Sequence, residues 1–592
     1  MVREVYKRIL ADAFRARVYF AFMSLKTVGI GYGALLGAAL LAMTAPSRVN
    51  AQCDALPPAT DFKAEKIADA PGWPYDIVVD KDLKVYWVER MGAFKVYDPA
   101  TKVVTTIKQF QVLSADYAGF TDVENGLEGL AFDLDFASTH WIYMWYTAYA
   151  AKGTFTKGNL GPTVRLSRFT LKNNNMEVDA ASERPIFEHK IFAQCCHFGG
   201  DLKMSKDGLL YLSTGDNINY NYTGTGVARA FDESIINGDP RNTSSNTNDT
   251  RGKILRIKPI PFPDAQTPAI GVGTTYEIPA GNLKDVWTST EKDKVRPEIY
   301  SMGHRNPFSI SVHPTKPWVA IGEANGDNPD EGDDEINLVT KPGNFGWPFL
   351  IGNNQLYIPN FWTNRTDAAK NPASYTNESK WNTGAKTLPP AVGSLYSVKH
   401  GINALPIQCY GVTWGFVDYD PMLNSKVKWP PYLKDKLLVS GYGTTPVKVA
   451  TLDANGAVTK TENLFNSADF TTDILRATQG PDGAFYVTRG DGISFAASSV
   501  CKIYKVSYIG SCATVSTRPA DEQIARQAAM RPKIANLGTT EVTLPAGISV
   551  VSAFDTQGKK VWEAARGAEN GNVVKQLPAT LSKGMLELRY TP

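Results

Sequence analysis

The sequence predicts an all-β fold, a six-bladed β-propeller followed by a small, β-sandwich-like C-terminal domain. Helical periodicity is scarce after residue 52, and short apolar strands bounded by Gly, Pro, Asn and Asp dominate. A second observation is a repeat, in which a polar turn leads into an apolar strand that usually carries an aromatic residue. Six degenerate copies predict six blades, because a closed ring leaves few exposed sheet edges. The alternative is a two-sheet sandwich with unrelated hairpins. The copies are Asp82–Val88, His140–Tyr146, Asp207–Leu212, Lys316–Ile321, Lys434–Val439 and Asp482–Val487.

The predicted propeller spans residues 52–512, and the polar residues 513–532 are interpreted as a linker. Uneven spacing of the repeats requires long insertions, and the stretches 217–250 and 353–408, which are rich in Asn, Thr, Gly and Pro, fit that role. Residues 533–592 alternate in the manner of strands. This small β domain is similar to the C-terminal sorting or surface-attachment modules of secreted bacterial proteins.

The first 51 residues are predicted to be a secretory signal peptide. A region rich in Lys and Arg precedes the apolar stretch Val28–Met43, which is short for a membrane span. The small residues up to Ala51 then fit a cleavage site. Because the charged region is long, Met23 is an alternative start, and a retained membrane anchor is the alternative interpretation. We therefore expect export to the periplasm, the cell surface or the medium.

Charge and cysteine content narrow the class of protein. The chain has 62 Lys and Arg against 59 Asp and Glu and no long basic run, so nothing indicates a nucleic-acid partner. All six cysteines follow the predicted signal peptide, and an even number in an oxidising compartment favours disulfides. Cys501 and Cys512 flank a short strand and are the preferred pair, whereas the adjacent Cys195 and Cys196 pair with each other or outward. Zinc-ligand spacing is absent from the sequence, so a zinc site is not indicated.

The run Cys-Cys-His-Phe-Gly-Gly-Asp-Leu at 195–202 contains His197, one of only six histidines in the chain. The two glycines let the backbone turn tightly and approach a ligand closely. An imidazole in such a loop can take a proton from a substrate near neutral pH. The alternative is a loop histidine that donates to a backbone carbonyl.

Further segments combine polar side chains with glycines. In Gly-His-Arg-Asn-Pro, Arg305 offers a planar fork for a carboxylate or a quinone oxygen, and Asn306 donates and accepts beside it. Trp347, in Gly-Trp-Pro, offers a stacking face. The segment 124–133 places a carboxylate and glycines before a strand. The structural alternative for Arg305 is a buried ion pair.

The stretch from Glu323 to Glu335 is rich in oxygen ligands and suits Ca²⁺, which prefers carboxylates and backbone carbonyls. Its structural alternative is a solvated turn at 333–335. In the segment 246–257, Arg251 and Lys253 are expected to flank a strand rather than contact a ligand.

In their order along residues 73–508, these motifs resemble the glucose/sorbosone dehydrogenase family, soluble sugar dehydrogenases that use pyrroloquinoline quinone (PQQ). The motifs that carry the resemblance are Cys-Cys-His at 195–197, Gly-His-Arg-Asn-Pro at 303–307, Asp-Glu-Ile-Asn at 334–337 and Gly-Trp-Pro at 346–348. The family's larger secreted members also carry an Asn-Thr-Asn-Asp-x-Arg-Gly-Lys segment, here 246–253.

The resemblance implies that His197 is a general base, supported by Asp216, that takes the proton of the sugar C1 hydroxyl while hydride passes to PQQ. Ca²⁺ beneath the cofactor would polarise the quinone. The remaining candidates are Glu124 and Trp347 for the substrate, Arg305, Asn306 and Arg476 for PQQ, and Asn325, Gly326, Asp333, Asp334 and Glu335 for Ca²⁺.

One segment departs from the family pattern. The family usually has an Arg-x-Arg pair that grips the PQQ carboxylates, and the matching positions here are Asp473 and Leu475. Arg476 lies one place further, and a shift of one residue on a strand turns a side chain to the opposite face.

The predicted function is therefore oxidation of a sugar or sugar alcohol with PQQ and Ca²⁺. Electrons would leave to a separate acceptor, because the sequence has no haem-attachment motif. The alternatives are a carbohydrate-binding propeller without PQQ activity and a metal-dependent hydrolase of the lactonase type.

Overall fold

The computed structural model describes residues 54–114, 124–151, 153–156, 158–194, 196–218, 236–326, 332–357, 371–399, 411–441, 446–466, 469–491 and 498–512, and six strands between 533 and 591. The predicted signal peptide and the predicted linker lie outside these residues. So do Cys53, Cys195 and Cys409.

Nearly all regular structure in the described residues is strand, and the α-helices are single turns, α1 (Phe136–Thr139) and α2 (Leu283–Val286). The first strand, β1 (Phe62–Asp69), belongs to the last of six blades. Blade 1 contains β2 (Pro74–Val79), β3 (Val85–Glu89), β4 (Ala93–Asp98) and β5 (Val103–Gln109). Blade 2 contains β6 (Leu127–Phe132), β7 (Trp141–Thr147), β8 (Leu160–Lys172) and β9 (Glu177–Phe192).

Blades 3 and 4 carry extra short strands. Blade 3 contains β10 (Gly199–Met204), β11 (Leu210–Thr214), β12 (Lys253–Pro259), β13 (Tyr276–Glu277) and β14 (Ile299–Met302). Blade 4 contains β15 (Asn306–Val312), β16 (Val319–Ala324), β17 (Asp333–Val339) and, further along the chain, β21 (Tyr396–Lys399). Between β17 and β21 lie β18 (Gly343–Asn344), which pairs with β14, and the hairpin of β19 (Leu350–Ile351) and β20 (Gln355–Leu356). The predicted insertion 353–408 therefore contains two strands and is not loop throughout.

Blades 5 and 6 complete the propeller. Blade 5 contains β22 (Gly411–Phe416), β23 (Leu437–Gly441), β24 (Val447–Leu452) and β25 (Val458–Phe465). Blade 6 contains β26 (Ile474–Gln479), β27 (Phe485–Arg489), β28 (Lys502–Tyr508) and, as its outermost strand, β1.

The innermost strands close a ring. β2, β6, β10, β15, β22 and β26 contact one another in that order, and β26 contacts β2. Pairing of β1 with β28 joins the two ends of the propeller sequence in one sheet. The fold is thus the predicted six-bladed β-propeller, and the two-sheet sandwich alternative is wrong.

Each of the six repeat copies forms the second strand of a blade: β3, β7, β11, β16, β23 and β27. These strands are continuous apolar runs because both of their faces are covered. Every residue of β3 and β11 is buried, for example. Aromatic residues fill the space between blades, and Trp87, Trp145 and Trp414 are almost completely buried.

All six innermost strands carry a register irregularity, which begins at the first or second residue in five of them and at the third residue in β22. The irregularities lie at Pro74/Asp76, Leu127/Gly129, Gly199/Leu202, Pro307/Ser309, Thr413/Gly415 and Ile474/Arg476. A β-bulge adds a residue to one strand and re-aims the neighbouring side chains. This end of the ring therefore presents side chains that simple alternation along the strands does not predict.

The C-terminal strands form two sheets of their own. One contains β29 (Lys533–Asn536), β31 (Val550–Phe554), β32 (Lys560–Ala565) and β34 (Met585–Thr591), and the other β30 (Glu541–Leu544) and β33 (Val573–Gln576). A separate attachment domain remains a prediction. Among the described helices, none has the length and apolar character needed to cross a membrane.

The predicted disulfide between Cys501 and Cys512 is wrong, because the thiol of Cys501, directly before β28, is free and buried. Burial raises the pKa of this thiol to about 12. With Cys195 and Cys409 outside the described residues, the pairing of the other cysteines remains a prediction.

Candidate active site

His197 lies in the loop before β10, close to the bulged end of the inner strands. Its backbone has a φ of 63°, which is uncommon for a residue with a side chain, and only 6% of its surface is exposed. Its Nδ1 lies 2.7 Å from Oδ1 of Asp216. The imidazole therefore pairs with a carboxylate, and the alternative of a bond to a backbone carbonyl is wrong for this nitrogen.

Asp216 follows β11 and is fixed from several sides. Its backbone N–H donates to the carbonyl of Arg305 at 2.7 Å. The indole Nε1–H of Trp347 donates to its Oδ2 at 2.9 Å, and the N–H of Ile218 donates to Oδ1 at 3.0 Å. These donors hold the carboxylate in one orientation toward His197, an arrangement that sets the imidazole tautomer.

Two glycines explain why this loop can form. A Cβ on Gly215 would lie 2.1 Å from the carbonyl oxygen of His197, and no side chain fits there. Gly200 has a φ of 101°, and a Cβ on it would lie 2.8 Å from Oε2 of Glu128. Gly199 and Gly200 both have a positive φ and turn the chain tightly, as the sequence predicted, and Gly200 closely approaches the Glu128 side chain. Close approach of this pair to a ligand remains a prediction.

Glu124 and Asn306 meet the histidine loop from two other blades. Oε2 of Glu124 accepts the backbone N–H of His197 at 2.8 Å, and the Asn306 amide lies 3.4 Å from the same oxygen. Oδ1 of Asn306 accepts the N–H of Gly199 at 3.0 Å. Burial raises the pKa of Glu124, and the His197 and Arg305 charges partly oppose that effect.

Arg305 and Trp347 border the same group. Arg305 is 2% exposed, its guanidinium carbon lies 5.9 Å from the centre of the Trp347 ring, and its Nη1 donates to the carbonyl of Ala324 at 3.3 Å. Trp347 is 1% exposed, which leaves little of its ring free to stack on a substrate. Its contribution to the site is the hydrogen bond from its indole N–H to Asp216.

The acidic segment is buried, so the solvated-turn alternative is wrong. Asp333, Asp334 and Glu335 begin β17, and Asp334 accepts the N–H of Asn325, which with Gly326 follows β16. Within the described residues, no group of three or more His, Cys, Asp or Glu side chains is arranged to hold a metal ion. Residues 327–331, between the two halves of the segment, lie outside the described residues.

Glu323 and Glu335 form a buried carboxyl pair next to Arg305. The amide of Asn337 donates to both, at 2.5 Å and 2.8 Å. Burial raises the pKa of Glu323 to about 8, and burial together with the Glu323 charge raises that of Glu335. Glu323 also accepts the backbone N–H of Arg305 at 3.3 Å and faces Nδ1 of His304.

Arg476 forms a buried ion pair with Asp201. It lies at the bulge of β26, where simple alternation along a strand does not hold, and its Nε is 3.2 Å from Oδ2 of Asp201. Lys203, whose side chain is 19% exposed, bridges Asp201 to Asp76, so four charges join the inner strands of blades 1, 3 and 6. Leu475 is buried in the apolar core.

Sequence reasoning missed Glu128 and Glu323. Glu128 lies on β6, its Oε1 accepts the N–H of Gly126, and its Oε2 has no hydrogen-bond partner. The signal for it was a second carboxylate within the segment 124–133 already singled out. Glu323 was the first residue of the stretch expected to suit Ca²⁺, but its contacts had no local signal. Its partners are Arg305, just before β15, and Asn337 on β17, on either side of its own strand in the blade.

Comparison with known proteins now adds to this geometry. A family model described as "Glucose / Sorbosone dehydrogenase" matches residues 71–388, more than half of the chain. The chain belongs to the glucose/sorbosone dehydrogenase family. This agrees with the order of motifs around His197, Arg305 and Trp347.

Three curated relatives are similar over part of their length. Quinoprotein glucose dehydrogenase B of Acinetobacter calcoaceticus is 25% identical over 361 residues, 58% of this chain and 66% of that protein. The HIPL1 and HIPL2 proteins of Arabidopsis thaliana are 28% and 30% identical over 29% of this chain. The chain spans just under two thirds of the first relative and about a fifth of the plant proteins (22% and 21%).

Similar solved structures include the soluble aldose sugar dehydrogenase of Escherichia coli. It is 19% identical, with a TM-score of 0.47, and the match covers 76% of this chain and 99% of that one. The PQQ-bound aldose sugar dehydrogenase of Streptomyces coelicolor is 15% identical, with a TM-score of 0.47 over the same shares. The fold assignment rests on the strand pairing of this protein and not on these scores.

Proposed function

We propose that this protein is an exported, PQQ-dependent dehydrogenase that oxidises a sugar or sugar alcohol at a C–OH group. The observation that carries the proposal is the 2.7 Å contact of His197 with Asp216 beside Arg305 and Asn306. Membership of the glucose/sorbosone dehydrogenase family supports it. The name of the Acinetobacter relative, a quinoprotein glucose dehydrogenase, supports the choice of cofactor and substrate class.

The donor set near His197 fits an anionic quinone. Arg305 supplies a guanidinium fork and Asn306 an amide, groups suited to quinone and carboxylate oxygens. When bound, PQQ would supply the acceptor for the hydride, which carries both electrons of the oxidation. Ca²⁺, with ligands from Asn325, Gly326 and the buried Asp333, Asp334 and Glu335, is part of the same proposal.

In the proposed mechanism, His197 holds and moves the proton. Its Nδ1–H donates to Asp216, a tautomer inferred from the hydrogen-bond network, so Nε2 accepts the proton of the substrate hydroxyl. Asp216 then stabilises the imidazolium that forms. Trp347 and the N–H of Ile218 keep the carboxylate aligned.

Glu124 is proposed to orient the substrate. Its Oε2 is bound to the loop backbone of His197, and a carboxylate is a strong acceptor for sugar hydroxyl groups. With the base on one side and this acceptor on the other, the reacting hydroxyl is positioned before proton transfer.

The test is a titration of the purified protein with PQQ, with and without Ca²⁺, followed by dye reduction over a panel of aldoses and sugar alcohols. We expect the wild type to bind the quinone and to reduce the dye in a sugar-dependent reaction. His197→Gln is expected to bind the quinone but to reduce the dye only at the background rate. The control is His140→Gln, which changes an imidazole directly after α1 that contacts Asn175. We expect this variant to keep its activity. Absence of both quinone binding and dye reduction in the wild type would overturn the proposal.

A second candidate, a carbohydrate-binding propeller without PQQ activity, is favoured by one observation. The positions of the family's arginine pair hold Asp473 and Leu475, and Arg476 is engaged by Asp201. Glycan binding that survives His197→Gln, in a protein that binds no PQQ, would support it. Hydrolysis of a lactone panel in the same preparations would instead indicate a lactonase.

A further inference from the structure

We propose that Lys253 is a positioning residue for the His197–Asp216 pair, acting through a cage of three backbone carbonyls. Lys253 begins β12, and none of its surface is exposed. The turnover part of this proposal rests on the proposed dehydrogenase function. The positioning of His197 by Lys253 does not.

The cage satisfies the whole ammonium group. Nζ of Lys253 donates to the carbonyls of Thr243 at 2.7 Å, Ser244 at 2.9 Å and Arg251 at 2.8 Å. An ammonium has three protons, so each has one acceptor. The cation therefore ties two separate stretches of the segment between β11 and β12 to one point.

The first stretch continues to Arg305. The Ser244 carbonyl that accepts from Lys253 also accepts the N–H of Gly303 at 3.2 Å, and the Ser244 hydroxyl donates to the carbonyl of His304 at 2.6 Å. The next carbonyl along the chain, that of Arg305, accepts the N–H of Asp216. Lys253 thus fixes the backbone that receives Asp216.

The second stretch continues to the residue before Asp216. Gly252, next to the caged carbonyl of Arg251, donates its N–H to the carbonyl of Gly215 at 2.9 Å. The hydroxyl of Thr214 donates to the carbonyl of Thr250 at 2.6 Å. Lys253 therefore holds both the segment that precedes Asp216 and the segment that binds its N–H.

The charge of Lys253 is opposed by burial and balanced in part by carboxylates. Burial and the Arg251 charge lower the pKa of Lys253 to about 7, and the nearby Asp249 and Asp216 charges act against that effect. Arg251 pairs with Asp249 at 2.7 Å. Loss of the buried ammonium removes one donor from each of three carbonyls, of which those of Thr243 and Ser244 also accept the N–H groups of Asn246 and Gly303. Such a change moves the backbone that carries these carbonyls.

Lys428 offers a matched control. Its Nζ also donates to three carbonyls, of Asp420, Pro421 and Leu423, and it is 1% exposed. It lies in the connection between β22 and β23, and the carbonyls of its cage belong to none of the segments around Asp216.

The experiment compares Lys253→Met with Lys428→Met by two readouts. One is the downfield proton resonance of the His197 Nδ1–H, assigned by its loss in His197→Gln among six histidines. The other is sugar turnover of PQQ-loaded protein. We expect Lys253→Met to lose the resonance and to lower kcat roughly 100-fold with KM little changed, as for a misplaced catalytic group. Lys428→Met keeps both.

Rescue separates positioning from general stability. In Lys253→Ala, ethylammonium is expected to enter the cage and restore the resonance and part of the turnover, whereas tetramethylammonium, which has no N–H, restores neither. If Lys253 variants do not fold, Ser244→Ala takes their place, since it removes the bond to His304 while Lys253 still donates to its three carbonyls. We then expect a weakened resonance and a roughly 5-fold lower kcat.

An unchanged resonance in folded Lys253→Met, or in Ser244→Ala where that variant is used, would overturn the proposal. Equal loss of the resonance in Lys428→Met would also overturn it. A wild-type protein that shows the resonance but oxidises no sugar refutes the proposed function alone, because the resonance does not depend on turnover.

Discussion

At the scale of single residues, the chemistry depends on how firmly Asp216 holds His197. The carboxylate receives donors from Trp347, from the N–H of Ile218 and from the imidazole. Trp347 is 131 residues away in sequence, and its indole was expected to stack on a substrate rather than to donate. The position of the base therefore depends on blade 3 and on the segment after blade 4's third strand.

Trp347→Phe tests that donor. The variant keeps an aromatic ring of similar shape and removes one hydrogen bond to Asp216, so kcat should fall about 5- to 10-fold, as expected for about 1 kcal/mol. KM should change little. The control is Trp429→Phe, which removes an indole bond to the carbonyl of Val506 away from the site. Equal kcat in the two variants would contradict the role given to Trp347.

How much of the site the sequence predicted depends on the range of each contact. His197, its glycines and Asp216 lie within 20 residues, and their motif was readable because a tight turn needs glycine locally. The partner of Trp347 is 131 residues away in sequence and that of Arg476 lies in another blade, and no local pattern encodes either contact. The expectation for Arg476 used strand alternation, which a bulge at Leu475 interrupts.

At the scale of elements, the second strands were predictable and the first strands were not. β3, β7 and β11 are apolar runs after polar turns, and burial on both faces produces that pattern. The first strands contain bulges, and their side chains contact neighbouring blades as well as the candidate site. Asp76 and Asp201 accept N–H groups from the inner strands of the following blades, at Leu130 and Ile310.

Gly215→Ala tests the close approach of β11's end to the histidine loop. A Cβ there would meet the carbonyl of His197 at 2.1 Å, so the loop must shift, at about 1–3 kcal/mol of stability. We expect both a lower unfolding midpoint and a loss of turnover in the folded protein. Gly271→Ala is the control, because its nearest neighbour would be the Thr274 hydroxyl at 3.6 Å. Similar turnover in the two variants would argue against this contact.

Arg476→Met tests whether Arg476 contacts PQQ or forms an ion pair between blades with Asp201. Removing one partner of a buried ion pair costs about 3–5 kcal/mol, so the unfolding free energy should fall by that order. If Asp201 is the principal partner of Arg476, the affinity for PQQ measured by titration changes little. The comparison variant is Asp201→Asn, which weakens the same pair. A large loss of quinone affinity in Arg476→Met, without a similar loss in Asp201→Asn, would instead indicate that Arg476 contacts PQQ.

At the scale of the whole molecule, the ring buries carboxyl groups that resist ionisation. Burial raises the pKa of Asp76 to about 6 and that of Glu128 to about 8. A carboxyl group whose pKa is higher in the folded than in the unfolded protein stabilises the fold below its unfolded pKa. That contribution is lost as pH rises through the folded value.

Glu128→Gln should therefore flatten the loss of stability between about pH 4.5 and pH 8, since the amide resembles the protonated acid and still accepts from Gly126. Each pH unit of that interval corresponds to about 1.4 kcal/mol. Urea unfolding at several pH values measures the slope. Glu65→Gln, at a side chain that is 61% exposed, is the control and should leave the slope unchanged. A slope unaltered in Glu128→Gln would show that this carboxyl is not the source.

The most direct test of His197 as the base is a single-turnover measurement on PQQ-loaded protein. The absorbance of bound quinone is followed after mixing with an aldose, in the wild type and in His197→Gln with equal quinone occupancy. The account predicts rapid reduction in the wild type and a rate lower by about 100-fold or more in the variant. Equal rates in the two proteins, or no reduction by any aldose in the loaded wild type, would contradict it.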